Sequence, residues 1–131
     1  MKHLALSTAL ALGAAAPSWA HHSFSAQYNR DEPVKLTGAV TKVEWLNPHV
    51  YFYIDVLNAE TGKVENWALE MGAPAVIQRT GWTRTTMKIG DLVTVEGSRA
   101  RDGSNLANAR AVIMTETGKE LGAGSSEDLT P

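Results

Sequence analysis

The sequence predicts a mainly β protein, a small five-stranded OB-like barrel with one short helix between the third and fourth strands. Five short segments rich in β-branched and aromatic residues alternate with turn signals. One helical segment stands between a proline and a glycine, after the third of these strands. A helix at that point matches the OB-fold, whereas the alternative, a β-sandwich, would need about seven strands.

The first 20 residues have the composition of a cleaved export signal. Lys2 supplies a positive start, residues 4–16 are apolar and uncharged, and small residues, Ser18 and Ala20, stand where a signal peptidase reads the chain. An earlier cut would leave Pro17 at the new terminus and is disfavoured. The apolar run of about 13 residues is shorter than the roughly 20 that span a membrane. We therefore expect a mature chain without a transmembrane segment, in the periplasm or outside the cell.

Charge and cysteine content exclude several classes of function. The chain has 12 basic and 14 acidic residues, and loss of Lys2 with the signal leaves 11 against 14. This mildly acidic balance argues against a nucleic-acid partner, which usually requires a basic patch. The absence of cysteine excludes disulfides, thiolate metal sites and cysteine nucleophiles.

The mature chain begins with a polar arm, residues 21–33, which lacks a hydrophobic period. Residues 34–45 form the first predicted strand, and Gly38 lies where a bulge or sharp bend would be expected. Asn47-Pro48 is a turn signal. Residues 49–57 are the strongest strand in the chain, because aromatic and β-branched residues dominate them.

The remaining elements complete a barrel domain over residues 34–121. A third strand, residues 63–71, is followed by a helix over residues 75–80, with Pro74 in its first turn and Gly81 just past its end. The last two predicted strands are residues 92–97 and 108–115. Residues 122–131 are predicted to be a flexible tail.

The second and third strands predict their own register. With Leu57 opposite Val64, apolar residues pair on one face, which is the expected core, and the other face turns outward. The core pairs are Ile54 with Trp67, Phe52 with Leu69, and Val50 with Met71. The outer pairs are Asp55 with Asn66, Tyr53 with Ala68, and Tyr51 with Glu70, and His49 falls on this face diagonal to Glu70.

Three histidines predict a metal site in the mature protein. His21 would carry both a free α-amino nitrogen and an imidazole after cleavage, and a nitrogen-rich tetragonal site favours copper(II). His22 or His49 would supply the third nitrogen. Glu70 would be a carboxylate ligand or would orient a ligand residue through a hydrogen bond. The simpler interpretation is that the His21-His22 pair is only a polar terminus and His49 only caps a turn.

A second set of residues predicts a ligand-binding face on the barrel. Tyr51, Tyr53 and Trp45 offer stacking surfaces for a sugar or a base. Arg99 and Arg101, in the loop after the fourth strand, are candidates to hold an anion.

Nearly the whole mature chain resembles a bacterial family of exported domains of unknown function. The residues that carry the resemblance are His21-His22-Ser23-Phe24, Leu36-Thr37-Gly38, Val43-Glu44-Trp45, Asn47-Pro48-His49, Trp67-Ala68-Leu69-Glu70-Met71-Gly72, Gly81-Trp82, Gly90-Asp91 and Arg101-Asp102-Gly103-Ser104. The resemblance implies a small periplasmic β-barrel and brings no established activity. It also implies that the HHSF start and the Asn-Pro-His turn occur together, which favours a joint site.

Three functions follow from these residues. The first is a periplasmic metal-binding protein, with copper(II) as the favoured cofactor. The second is a metal-free module that binds an unidentified periplasmic protein or small ligand on the outer face of the second and third strands. The third is an enzyme, a copper oxidoreductase using the same histidines, which ranks last because no separate acid, base or substrate cleft can be identified in the sequence.

Overall fold

A computed structural model describes residues 23–129 of the chain. Six strands and three short helical segments make up this part of the protein. In chain order they are α1 (Phe24–Gln27), β1 (Tyr28–Glu44), β2 (Tyr51–Leu57), β3 (Val64–Glu70), α2 (Pro74–Arg79), β4 (Leu92–Ala100), β5 (Leu106–Met114), β6 (Lys119–Gly122) and a 3-10 turn (Ser126–Leu129).

The strands form one sheet that closes into a ring. Their order is β3-β2-β1-β4-β5-β6, and each neighbouring pair in this order is antiparallel. A short parallel pairing of β3 with β5, over residues 68–70 and 106–108, joins the two sides. The mainly β class and the helix between β3 and β4 are confirmed.

The predicted number of strands is wrong, since the described residues form six. The additional strand, β6, pairs with β5. It holds its place because the carbonyl of its last residue, Gly122, accepts hydrogen bonds from Trp82 Nε1 and Thr80 Oγ1, both at 2.9 Å. The start of the segment predicted as a tail is thus part of the sheet.

The predicted register of β2 and β3 is confirmed, from Tyr51 opposite Glu70 to Leu57 opposite Val64. The three apolar pairs of the inner face are buried. Leu57 and Val64 lie on the other face, because successive residues of a strand alternate between faces, and they are 66% and 64% exposed. Val56 instead packs against the core.

Strand β1 has a shape that the sequence did not predict. It begins at Tyr28, inside the predicted arm, and its register shifts between Asn29 and Pro33 and again between Val40 and Lys42. Gly38 is not at either shift. It lies so close to the neighbouring strand that a Cβ there would clash with the carbonyl of Asp55, which is why glycine is needed.

Both ends of the described chain pack against the sheet. In the predicted arm, Phe24 is buried and its ring centroid lies 5.6 Å from that of Tyr28. In the predicted tail, Ala123 and Ser125 are buried. Glu127 follows them and forms an ion pair with Arg30 of β1 at 3.0 Å.

None of the helices in residues 23–129 has the length and apolar character required to cross a membrane.

Candidate functional site

Among residues 23–129, Glu70 is the one buried residue with a carboxylate side chain, and it is 3% exposed. Tyr28 and Tyr51 each donate a hydroxyl hydrogen bond to Oε2 at 2.6 Å. Asn108 Nδ2 donates to Oε1 at 3.3 Å, and His49 Nδ1 lies 3.1 Å from the same oxygen. Four side chains therefore surround one carboxylate.

The fold explains how these residues meet. Glu70 ends β3 on the outer face of the hairpin, opposite Tyr51 on β2 and beside Asn108 on the parallel strand β5. Tyr28, at the start of β1, approaches from the predicted arm. The sequence placed Glu70 on the outer face, and its expected exposure is wrong, because the arm covers that part of the face.

The two tyrosines remain hydrogen-bond donors over the ordinary pH range. Burial is the main cause that raises the pKa of Tyr28 well above its usual value, and the hydrogen bond to Glu70 and its negative charge raise it further. The same causes, in the same order, raise the pKa of Tyr51. A carboxylate accepts hydrogen bonds, and here two phenols and one amide all donate to it.

A second layer of hydrogen bonds fixes Asn108. Ser125 Oγ donates to Asn108 Oδ1, and both side chains are buried. The amide is therefore oriented with its Nδ2 toward Glu70. Glu127 continues this segment and accepts a hydrogen bond from Ser98 Oγ at 3.1 Å, which attaches the residues after β6 to β4.

His49 connects this network to solvent. Its side chain is 32% exposed, and Nδ1 faces Glu70 Oε1. Within residues 23–129 the other ring nitrogen, Nε2, has no hydrogen-bond partner. When Nδ1 carries the proton donated to a carboxylate, the lone pair of Nε2 is free to bind a metal ion or a proton.

The other two predicted histidine ligands, His21 and His22, lie outside the described residues. No cluster of three histidine, aspartate or glutamate side chains that could hold a metal ion occurs in the described part of the chain. The arm does lead to His49 through direct contacts. Phe24 packs on Tyr28, Tyr28 donates to Glu70, and Glu70 contacts His49.

Three residues of the predicted ligand face are engaged in separate local contacts. The guanidinium of Arg99 lies 5.2 Å from the centroid of the Trp67 ring and donates to the carbonyls of Gly103 and Ser104. Tyr53 donates to Glu44 Oε2 at 3.0 Å. The half-buried ring of Trp45 lies under the guanidinium of Arg84, 5.5 Å from its centroid.

The remaining two residues of that face, Tyr51 and Arg101, line one open cleft with a volume of about 570 Å³. Its other walls come from Ala26 and Gln27 of α1, Ala100 at the end of β4, Asp102, and Leu106 at the start of β5. The predicted five-residue face is thus divided, and Tyr51 and Arg101 are the pair that lines this cleft.

Sequence reasoning missed Tyr28, Asn108 and Ser125. Asn108 and Ser125 are polar residues far from Glu70 in the sequence, and no local pattern marks them. Tyr28 did leave a signal, because Phe24 and Tyr28 are aromatic residues four apart, the spacing that places two side chains on one face of a helical turn.

Comparison with known proteins gives a family and no function. No curated protein matches the sequence significantly. The model of a family of unknown function (DUF6152) matches residues 9–109, a range that contains His49, Glu70 and Asn108. The chain therefore belongs to this family of unknown function, DUF6152.

Proposed function

We propose that the mature protein is an exported, OB-like β-barrel domain that binds a transition metal, copper(II) before others, through His21, His22 and His49. The observation that carries the proposal is the contact of His49 Nδ1 with the buried carboxylate of Glu70 at 3.1 Å. In a histidine that binds a metal, the N–H of the other ring nitrogen usually donates a hydrogen bond to a carboxylate or a carbonyl, which fixes the tautomer and the ring orientation.

The available donors fit copper(II) better than softer metals. The chain has no cysteine, so a thiolate site is excluded. His49 Nε2, two further imidazoles and a terminal amine would make a nitrogen-rich set, which copper(II) binds most strongly among the divalent first-row metals. The amine exists only if the export signal is removed before His21, as the small residues Ser18 and Ala20 favour.

Glu70 acts in this proposal as a positioning residue and not as a ligand. Both of its oxygens already have partners, and the carboxylate is almost fully buried. If the carboxylate moved to reach a metal, several buried donors would lose their acceptor, which would cost free energy. Its contribution is to hold the imidazole of His49 with Nε2 directed outward.

The packing of the arm supports a joint site. Phe24 anchors the chain two residues after His22, and consecutive residues of an extended chain advance only about 3.3–3.6 Å each. The histidines are therefore tethered to the same group of side chains, Phe24, Tyr28 and Glu70, that contacts His49. The closed ring of β1, β2, β3, β5 and β4, with α2 between β3 and β4, supports the OB-like assignment.

The test is a copper(II) titration of the mature protein against a competing chelator. Mass spectrometry first establishes that the exported product begins at His21. The native protein should bind one copper(II), and one alanine added ahead of His21 should weaken binding at least tenfold because it displaces the amine. His49→Ala should also weaken binding at least tenfold. Affinity should fall as pH decreases through about 6.5, since protons compete for imidazole nitrogen.

Tyr53→Phe is the matched control, because Tyr53 shares the outer face with His49 but contacts Glu44 instead of Glu70. It should bind copper(II) as the native protein does. Loss with the extended protein but not with His49→Ala would mean a terminal chelate without the barrel. Equal binding by native, extended and His49→Ala proteins would refute the site and favour the metal-free interaction module.

A further inference from the structure

We propose that the cleft between α1, β2 and the β4–β5 loop binds a ligand that carries a single carboxylate beside an apolar group. The site is separate in chemistry from the proposed copper site and needs no metal. Arg101 would bind the carboxylate, and the ring of Tyr51 with Leu106 would bind the apolar group.

Arg101 is held in a position to bind an anion. Its Nε donates to the carbonyl of Ser25 at 2.7 Å, which fixes one edge of the guanidinium against α1. Its two terminal nitrogens have no partner among residues 23–129. A guanidinium edge of two parallel N–H groups matches the two oxygens of a carboxylate, and an edge that is already oriented loses less entropy on binding.

The charge at the cleft favours a monoanion over a phosphate. Asp102 also lines the cleft and accepts hydrogen bonds from Ser104 N at 2.9 Å and Ser104 Oγ at 2.6 Å. These bonds lower the pKa of Asp102, so its negative charge persists near Arg101. One positive and one negative side chain leave the cleft without net charge, and Asp102 repels a dianion more strongly than a monoanion.

The remaining walls favour an apolar group next to that carboxylate. The hydroxyl of Tyr51 is engaged with Glu70 at 2.6 Å, so the ring is the part of Tyr51 that can contact a ligand. Leu106 and Ala26 add aliphatic surface. The volume of about 570 Å³ falls in the range of small-molecule sites, roughly 300–1,000 Å³.

The experiment is an NMR titration of ¹⁵N-labelled mature protein kept metal-free with a chelator. Benzoate is the small probe. A short peptide ending in phenylalanine with a free carboxylate tests whether the natural source is a peptide terminus, and its amide is the matched neutral peptide. Benzoate should shift the amide signals of Ala26, Gln27 and Arg101 in a saturable way. Benzamide, the amidated peptide and inorganic phosphate should bind at least tenfold more weakly.

Variants distinguish a specific binding site from non-specific attraction of anions. Arg101→Lys keeps the charge but loses the planar pair of donors, and should weaken benzoate binding at least fivefold. Arg84→Lys is the matched control, since Arg84 stacks on Trp45 away from the cleft, and it should have no effect. Because the titration is metal-free, its outcome does not depend on the copper site.

Three results would overturn the proposal. They are benzamide or phosphate binding as well as benzoate, equal losses with Arg101→Lys and Arg84→Lys, and the absence of saturable shifts. Tighter binding of the free peptide than of benzoate would identify a peptide terminus as the source, and the reverse would identify a small carboxylate.

Discussion

Tyr28 and Tyr51 donate hydrogen bonds to the same oxygen of Glu70, each at 2.6 Å. The two tyrosines come from different strands, so one carboxylate ties the start of β1 to β2 and β3. With both phenols on Oε2, the other oxygen is available to Asn108 and His49. The buried carboxylate of Glu70 thus connects these strands and contacts the partly exposed imidazole of His49.

The first prediction concerns the stability that the hydrogen bonds to Glu70 provide. Tyr28→Phe removes one donor from a buried carboxylate and should lower the free energy of unfolding by about 1.5–3 kcal/mol, the usual range for hydrogen bonds to charged groups. Urea unfolding followed by tryptophan fluorescence measures the change. Tyr53→Phe, which loses a hydrogen bond on the outer surface, should cost less than about 0.5 kcal/mol. Similar costs for the two variants would contradict the structure.

The second prediction concerns alkaline pH. The pKa values of Tyr28 and Tyr51 are raised in the folded protein, by burial first and by Glu70 second. Below about pH 10, the ordinary pKa of tyrosine, both phenols are protonated in the folded and the unfolded chain, and their contribution to stability is complete. Above that pH the unfolded chain releases protons that the folded chain retains, so the free energy of unfolding should fall.

Urea unfolding at about pH 8 and about pH 10.5 measures this loss. The double variant Tyr28→Phe/Tyr51→Phe should lose less stability over the same interval, because it lacks both groups. An equal loss in the native protein and the double variant would assign the alkaline effect to other residues.

The third prediction tests the register of the β2–β3 hairpin. Trp67 is 6% exposed and pairs with fully buried Ile54, so Trp67→Ala should cost about 3–5 kcal/mol, the range for emptying a large aromatic site. Tyr53→Ala should cost much less, since Tyr53 lies on the outer face beside Lys42. Thermal or urea unfolding of both variants is the measurement, and comparable losses would show that the faces are assigned wrongly.

Sequence reasoning succeeded where the physical signal is local. The alternation of residues 50–57 and 64–71 determines the register of the hairpin, because a slip by one residue would move every apolar side chain to the wrong face. Pro74 likewise marks the start of α2. Each of these signals is contained in a short stretch of chain.

The rest of the site depends on contacts that no local stretch encodes. Glu70 is 42 residues from Tyr28 and 38 from Asn108, and polar residues on an outer face normally remain in water. Strand β6 has only four residues, and its last carbonyl is held by Trp82 and Thr80 from elsewhere in the fold. Such elements become predictable only once the closed sheet is known.

The ion pair of Arg30 with Glu127 implies an order of folding. These residues are 97 apart in sequence, whereas β2 and β3 are joined by a short loop. Contacts between distant residues form late, because the entropy of closing the intervening chain is lost before any contact compensates for it. We therefore expect the hairpin to form first and to present Glu70 to water. During synthesis from the N-terminus, this carboxylate can gain its last direct partner only after Asn108 has followed, and the ion pair can form only after Glu127.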